Sequence, residues 1–189
     1  MSRTEEIIDV VLPGDLWLCV GKANDGFYTG KRETLRGHLH KYSLIVPGPM
    51  LTQRGLTKRG YLSYHSEANT GPRRFIIVEF DQGSLNQQAA ILWHLARYAP
   101  LALVVFSGSK SLHGWFFCAG QPEDRVQRFF DYAHSLGADS RLWSRSQFVR
   151  MPDGVRSDGK TGEALIAAGV KNVPPGRQAV LYFNPQVIR

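Results

Sequence analysis

The sequence predicts an α/β (α+β) fold: a ferredoxin-like or RRM-like unit with a mixed or antiparallel sheet, set against a smaller N-terminal α/β lobe. Three observations predict it. Apolar β-runs lie at 75–80 (FIIVEF), 101–106 (LALVVF) and 112–118 (LHGWFFC). Segments with helical apolar spacing, 82–98 and 122–136, interrupt them. A last run at 180–183 (VLYF) completes the order strand–helix–strand–strand–helix–strand.

The elements follow in order. Thr4 to Val11 reads as a short helix closed by Pro13-Gly14, and Asp15 to Val20 (DLWLCV) alternates as a strand. Residues 21–42 carry Gly, Asn, Asp and many basic side chains and read as loop plus a short helix. Tyr42 to Val46 is strand-like and is stopped by VPGPM. Residues 52–74 (TQRGLTKRGYLSYHSEANTGPRR) form an exposed, basic, loop-rich stretch. Phe75 to Phe80 is a buried strand broken by Glu79. The first helix of the unit takes Ser84 as N-cap and an apolar side of Leu85, Ala89, Leu92, Leu95 and Ala96. SGSKS turns Leu101–Phe106 into Leu112–Cys118. The second helix presents Val126, Phe129, Phe130 and Ala133, and Gln147 to Arg150 offers a further strand.

At 189 residues the chain predicts a single domain, with 1–74 as the N-terminal lobe and 75–189 as the main lobe. A hydrophobic share of 43% and a charged share of 21% exclude disorder and coiled coil for the whole chain. The balance of 23 Lys+Arg against 16 Asp+Glu gives +7 and favours a polyanionic partner, nucleic acid foremost. The two cysteines, Cys19 and Cys118, sit in apolar runs without a CxxC partner. They read as buried free thiols, argue against zinc, and suit a reducing cytoplasmic compartment. The N-terminus is acidic and lacks the apolar core of a signal peptide, and no run approaches a membrane span.

Chemistry-bearing residues fall in three groups. Val78-Glu79-Phe80-Asp81 puts two carboxylates at i and i+2 on one face of a buried strand. Burying like charges is costly unless compensated, and Mg²⁺ or Mn²⁺ suits hard carboxylate oxygens. The plainer account has Asp81 capping the next helix and Glu79 paired with Arg73 or Arg74. Residues 107–115 (SGSKSLHGW) cluster Lys110, Ser111 and His113 at a Gly/Ser turn whose amides suit phosphate. Its plainer account is an ordinary hairpin with a half-exposed His. The spacing is not that of a Walker A loop. Residues 138–156 (ADSRLWSRSQFVRMPDGVR) hold Asp139 and then Arg141, Arg145, Arg150 and Arg156, with Trp143 and Phe148 interleaved. Arginine forks bind phosphates and aromatic rings stack bases; the plainer account makes the rings core and the arginines a solvated rim. A rival pair, His38-Leu39-His40, has the spacing of a metal-binding HxH strand, as in nicking enzymes with a Tyr nucleophile.

Taken together, the three groups resemble the catalytic core of the archaeo-eukaryotic primase superfamily, the primase–polymerase type of plasmid and phage replication. The resemblance covers about residues 70–185. It matches an acidic pair at a strand end (Glu79, Asp81), a Ser-x-His motif (Ser111-Leu112-His113), a third carboxylate (Asp139) and a basic segment (SQFVRMPDGVR). Members more often begin the acidic pair with Asp, and Glu is one methylene longer. The resemblance implies a nucleotidyltransferase that makes RNA or DNA primers on single-stranded DNA from NTPs or dNTPs. It implies two Mg²⁺ or Mn²⁺ ions held by Glu79, Asp81 and Asp139, and a triphosphate gripped by Lys110, Ser111 and His113. Arg150 and Arg156 are expected on nucleotide or template phosphate, and Arg73, Arg74, Arg141 and Arg145, with the basic stretch 52–74, on single-stranded template. A helicase or other replication protein, fused or associated, is an expected partner. The alternatives are a silent nucleic-acid-binding module of the same fold, a metal-dependent nuclease using the same carboxylates, and the HxH nicking enzyme.

Overall fold

The computed structural model describes residues 2–23, 26–156, 163–171 and 176–188. Their elements are, in order, α1 (Arg3–Val11), β1 (Trp17–Gly21), β2 (Phe27–Lys31), α2 (Arg32–Leu35), β3 (Leu44–Ile45), β4 (Gly55–Leu56), β5 (Leu62–Ser63), β6 (Phe75–Glu79), α3 (Leu85–Leu95), β7 (Leu101–Phe106), β8 (Leu112–Phe117), α4 (Glu123–Ser135), β9 (Val149–Arg150), α5 (Glu163–Ala167) and β10 (Val180–Phe183). Short 3-10 turns cover Leu39–Lys41, Glu67–Asn69, Ser140–Trp143 and Pro185–Val187. The fold is mixed α and β with antiparallel sheets. No helix among the described residues is long and apolar enough to cross a membrane.

Two four-stranded sheets carry the chain, ordered β2-β1-β3-β9 and β10-β7-β8-β6, and β4-β5 is a separate hairpin. The second sheet departs from the expected ferredoxin-like order. In that order the fourth strand joins the first, whereas β10 pairs with β7, the second strand of the unit. The chain leaving α4 does reach the free edge of β6, but for one bridge only, Phe80 with Ala138. Asp139 then caps the turn Ser140–Trp143, its carboxylate accepting from the Arg141 amide at 3.0 Å, and the incipient strand ends. The chain next supplies β9 to the N-terminal sheet, where Leu44 faces Arg150 and Ile45 faces Val149. Buried apolar side chains from both halves, Ile8 and Leu18 with Val78 and Trp115 among them, form one core.

Residues 21–42 hold more structure than expected. Phe27–Lys31 is a full strand, paired with β1 from Trp17↔Lys31 to Gly21↔Phe27. Behind it, buried Arg32 meets Glu5 at 2.6 Å and Asp9 at 2.8 Å, tying α1 to α2. Glu5 also accepts from the amides of Gly37 and Leu39, so the buried carboxylate is well partnered.

Strand alternation sorts the main sheet into two faces. Ile76 and Val78 share one face with Gly114 and Phe116 of β8. There Phe129 of α4 packs 5.0 Å from Phe116, ring to ring, and Leu92 of α3 presses on Gly114. A Cβ at Gly114 would stand 2.6 Å from a Leu92 methyl, so only glycine lets this helix seat. The opposite face takes Phe75, Ile77 and Glu79 beside Phe117, Trp115 and His113. Helix α3 starts at Ser84, as its sequence predicts, in a reciprocal capping box with Gln87. Its buried stripe is Gln88, Leu92 and Leu95, while Ala89, expected inside, is exposed.

Candidate functional site

The face of the main sheet that carries Phe75, Ile77 and Glu79 opens at its end into a cleft of about 310 Å³. Glu79, Asp81, Lys110, Ser111, His113, Asp139, Arg141, Arg150 and Arg156 all line it. Residues from three separate stretches of sequence thus share one cavity. The edge of β6 supplies Glu79, the loop after it supplies Asp81, the β7–β8 connection supplies Lys110 and Ser111, and β8 supplies His113.

Glu79 lies at the centre. Ser111 donates its hydroxyl to Glu79 Oε1 at 2.6 Å, and His113 Nε2 lies 3.2 Å from the same oxygen. The Ser-x-His pair therefore closes on one carboxylate oxygen, because alternation puts both on the face of Glu79 and the register sets His113 directly opposite it. Burial alone would raise the Glu79 carboxyl. His113, the Ser111 hydroxyl and the charge of Arg150 outweigh it and hold the group at about 2. The plainer pairing of Glu79 with Arg73 or Arg74 does not hold, because Arg73 pairs with Glu123 and Arg74 donates to the Val11 carbonyl. Nor is His113 half-exposed: it is buried, and its ring nitrogens lack a well-directed hydrogen bond. Buried polar atoms in that state are uncommon and mark where a further group can complete them.

Asp81 does not cap α3, since Ser84 does. Its carboxylate pairs instead with Lys110 at 3.1 Å, and Lys110 also donates to its carbonyl at 3.2 Å. Asp139 sits beside Glu79 because its amide donates to the Glu79 carbonyl at 3.0 Å. Arg141 grips the Asp139 carboxylate with two nitrogens, the closer at 2.7 Å, and this contact holds the acid below its usual range despite partial burial. Lys110 is 64% exposed and Asp81 52%, so that pair is weak and exchangeable, whereas Arg141 holds the more buried Asp139 through two nitrogens.

Among the described residues no three His, Cys, Asp or Glu side chains stand close enough together to hold one ion. The cleft does offer three carboxylates, Glu79, Asp81 and Asp139, the hard oxygen donors that Mg²⁺ and Mn²⁺ take.

The turn at 107–111 is held by its own hydrogen bonds. The Ser107 hydroxyl accepts from the amides of Ser109 and Ser111, and Gly108 takes φ +85°. Buried Arg156 donates to the Ser107 carbonyl and lays its stem under Gly108. Arg156 thus braces the loop as well as lining the cleft. Sequence reasoning missed Gln88. Fully inside α3, it donates to the carbonyls of Gln82 (3.3 Å), Gly83 (3.2 Å) and Lys110 (3.0 Å) and accepts from the Leu112 amide (2.9 Å). One side chain therefore joins the loop after Asp81 to the loop of Lys110 and Ser111. Its signal in the sequence is a Gln at the 88/92/95 helical spacing, within the buried stripe.

Several expected contacts lie elsewhere. Arg73 stacks over Trp143 at 4.2 Å, pairs with Glu123 and donates to the Trp143 carbonyl. Arg74 donates to the Val11 carbonyl and lies over Phe117. Arg145 pairs with Glu67 at 2.9 Å. None of the three lines the cleft, and each has a partner within the chain. Trp143 contacts Arg73 and Phe130 and is half-buried. Phe148 does line the cleft, stacked on His65 at 4.3 Å. The HxH pair falls in the 3-10 turn Leu39–Lys41, with His38 exposed and Leu39 in the core. It is not on a strand, and three residues per turn point the two rings apart. Cys19 and Cys118 are free and buried, as expected, and burial pushes both thiols up to about 11. Comparison with protein-family models, with curated proteins and with solved structures finds no match to this chain.

Proposed function

We propose that the chain is a primase-type nucleotidyltransferase that extends a strand on single-stranded DNA from NTPs or dNTPs. The observation that carries this reading is the meeting of Glu79, Asp81, Asp139, Lys110, Ser111 and His113 in one cleft, from three separated motifs. In the reaction the 3′-hydroxyl gives its proton to water, its oxygen bonds to the α-phosphorus, and the bond from that phosphorus to the bridging oxygen breaks, so that pyrophosphate leaves. Glu79, Asp81 and Asp139 would hold divalent metal, which when bound neutralises the charge on attacking and leaving oxygens.

The chain's own groups divide the remaining work. Lys110 is an exposed cation on a weak contact, and a triphosphate competes for it directly. The 107–111 turn carries Lys110 into the cleft, and Arg150 and Arg156 add positive charge to the same wall. A carboxylate held at about 2 is a poor base near neutral pH, so Glu79 acts as a fixed negative charge. His113 and Ser111 set its orientation.

A second reading, a catalytically silent single-strand-binding module, draws support from the pairing of Asp81 with Lys110 and Asp139 with Arg141. One experiment separates the two: incubation with a primed single-stranded template, labelled NTPs or dNTPs, and Mg²⁺ or Mn²⁺. Template-dependent extension that Asp81→Ala abolishes supports the transferase. Binding without extension supports the module, and degradation of labelled DNA without added nucleotide supports a nuclease.

A further inference from the structure

We infer that the β4–β5 hairpin, whose base meets the cleft wall, is a grip for single-stranded nucleic acid. The inference deepens the transferase reading and rests on it for the strand's place in the reaction. Residues 52–66 contain Arg54, Lys58 and Arg59 and no Asp or Glu. Leu56 and Leu62 are cross-strand partners, so they share a face, yet they are 58% and 68% exposed. Tyr61 is 70% exposed beside them. Three open apolar side chains grouped on one hairpin form a patch of the kind that a ligand or partner covers. The tip, Lys58-Arg59-Gly60, is closed by Thr57 and Tyr61, whose backbones bond at 2.8 Å.

The root of the hairpin is rigid. Buried Asn69 donates to the carbonyls of Thr52 and Tyr64, and Thr29 donates to the Tyr64 carbonyl at 2.6 Å. Gly55 packs so tightly on Ser66 and Asn69 that a Cβ there would stand 2.7 Å from the Ser66 hydroxyl. Arg54 lies over the Tyr64 ring at 4.4 Å. From this base His65 reaches Phe148, a residue of the cleft wall. The hairpin's base thus meets the cleft wall through His65, and its far end carries one open ring, Tyr61, two open leucines and a positive tip. That pairing of stacking surface with cations fits a single strand, whose bases offer π-faces and whose phosphates offer charge. An apolar protein partner has no need of the tip's charge.

The test is fluorescence anisotropy of the full chain with labelled oligo-dT across a salt series, without nucleotide. Lys58→Ala with Arg59→Ala should lower the magnitude of the log–log salt slope by about 1.4, the contribution of two single-strand phosphates. Tyr61→Ala should weaken binding about tenfold, as for loss of a stacked base, with the slope unchanged. All these positions are exposed, so wild-type melting is expected and is checked alongside. Wild-type-like affinity and slope in both variants would overturn the inference. So would absence of oligo-dT binding by the wild-type chain. Loss of binding to phosphatidylserine vesicles with DNA binding intact would overturn it in favour of a membrane surface. Hairpin-dependent binding without extension defeats the transferase reading alone; extension with hairpin-independent binding defeats the hairpin grip alone.

Discussion

The amide of Asp139 donates to the carbonyl of Glu79 at 3.0 Å. A backbone bond, and not a side chain, brings the acid after α4 to the acid that ends β6. It is the last trace of a strand that stops after one bridge, and stopping there frees Asp139 to cap a turn with its side chain at the cleft.

Because the backbone sets this placement, changing the carboxylates should leave the fold intact. Asp81→Ala and Asp139→Asn are each expected to slow strand extension on the order of 10²-fold or more, the scale of losing one electrostatic contact to a transition state. Oligo-dT affinity should be unchanged or slightly tighter, since each variant removes negative charge. Parallel loss of melting temperature and binding would instead mark a structural role.

Glu79 sets an acid-side stability dependence. Its carboxyl ordinarily titrates near 4.5 and is held at about 2 in the folded chain. The folded state therefore binds its proton less readily than the unfolded state. The resulting stabilisation is full above about 4.5 and is lost as pH falls through about 2. Urea unfolding of wild type and Glu79→Gln should differ most above pH 5 and converge towards pH 2. A constant difference across that window would show that ionisation of Glu79 contributes nothing.

Gln88 links two loops of the cleft through one buried amide. Gln88→Leu keeps the volume but leaves the Leu112 amide and the Lys110 carbonyl without their partner. A loss of about 1–3 kcal/mol is expected in urea unfolding. The positioning role shows separately, as a rise in KM for the nucleotide that exceeds any fall in kcat at a temperature where the variant is folded. A stability loss with unchanged KM would reduce Gln88 to a packing residue.

Gly108 takes φ +85° with the Arg156 stem beneath it, where a Cβ would stand 2.5 Å from Arg156 Cδ. Gly108→Ala is expected to cost about 1–3 kcal/mol. It should also weaken inorganic triphosphate binding by calorimetry, because the turn and its arginine brace shift together. Unchanged triphosphate affinity would separate the turn from the ligand.

What the sequence determined by itself is what neighbours along the chain decide. The run LALVVF is a strand over its full length, and VLYF likewise, because continuous apolar β-formers admit little else between turn residues. Ser84 caps α3 because a hydroxyl three residues before Gln87 completes a local box. The period of two put Glu79 with Asp81, and Ser111 with His113, before any fold was known. Tertiary structure decided the rest. FYTGK is too short and mixed to declare itself, and becomes a strand by pairing with β1. The joining of β10 to β7, and of β9 to the other sheet, depends on edges left open by distant segments. Arg73, Arg74 and Arg145 look like phosphate ligands in the sequence, where charge is visible and partners are not; Trp143, Val11 and Glu67, far along the chain, occupy them in the fold. Gln88 shows the converse, a side chain unremarkable in sequence whose role exists only where two loops meet around it.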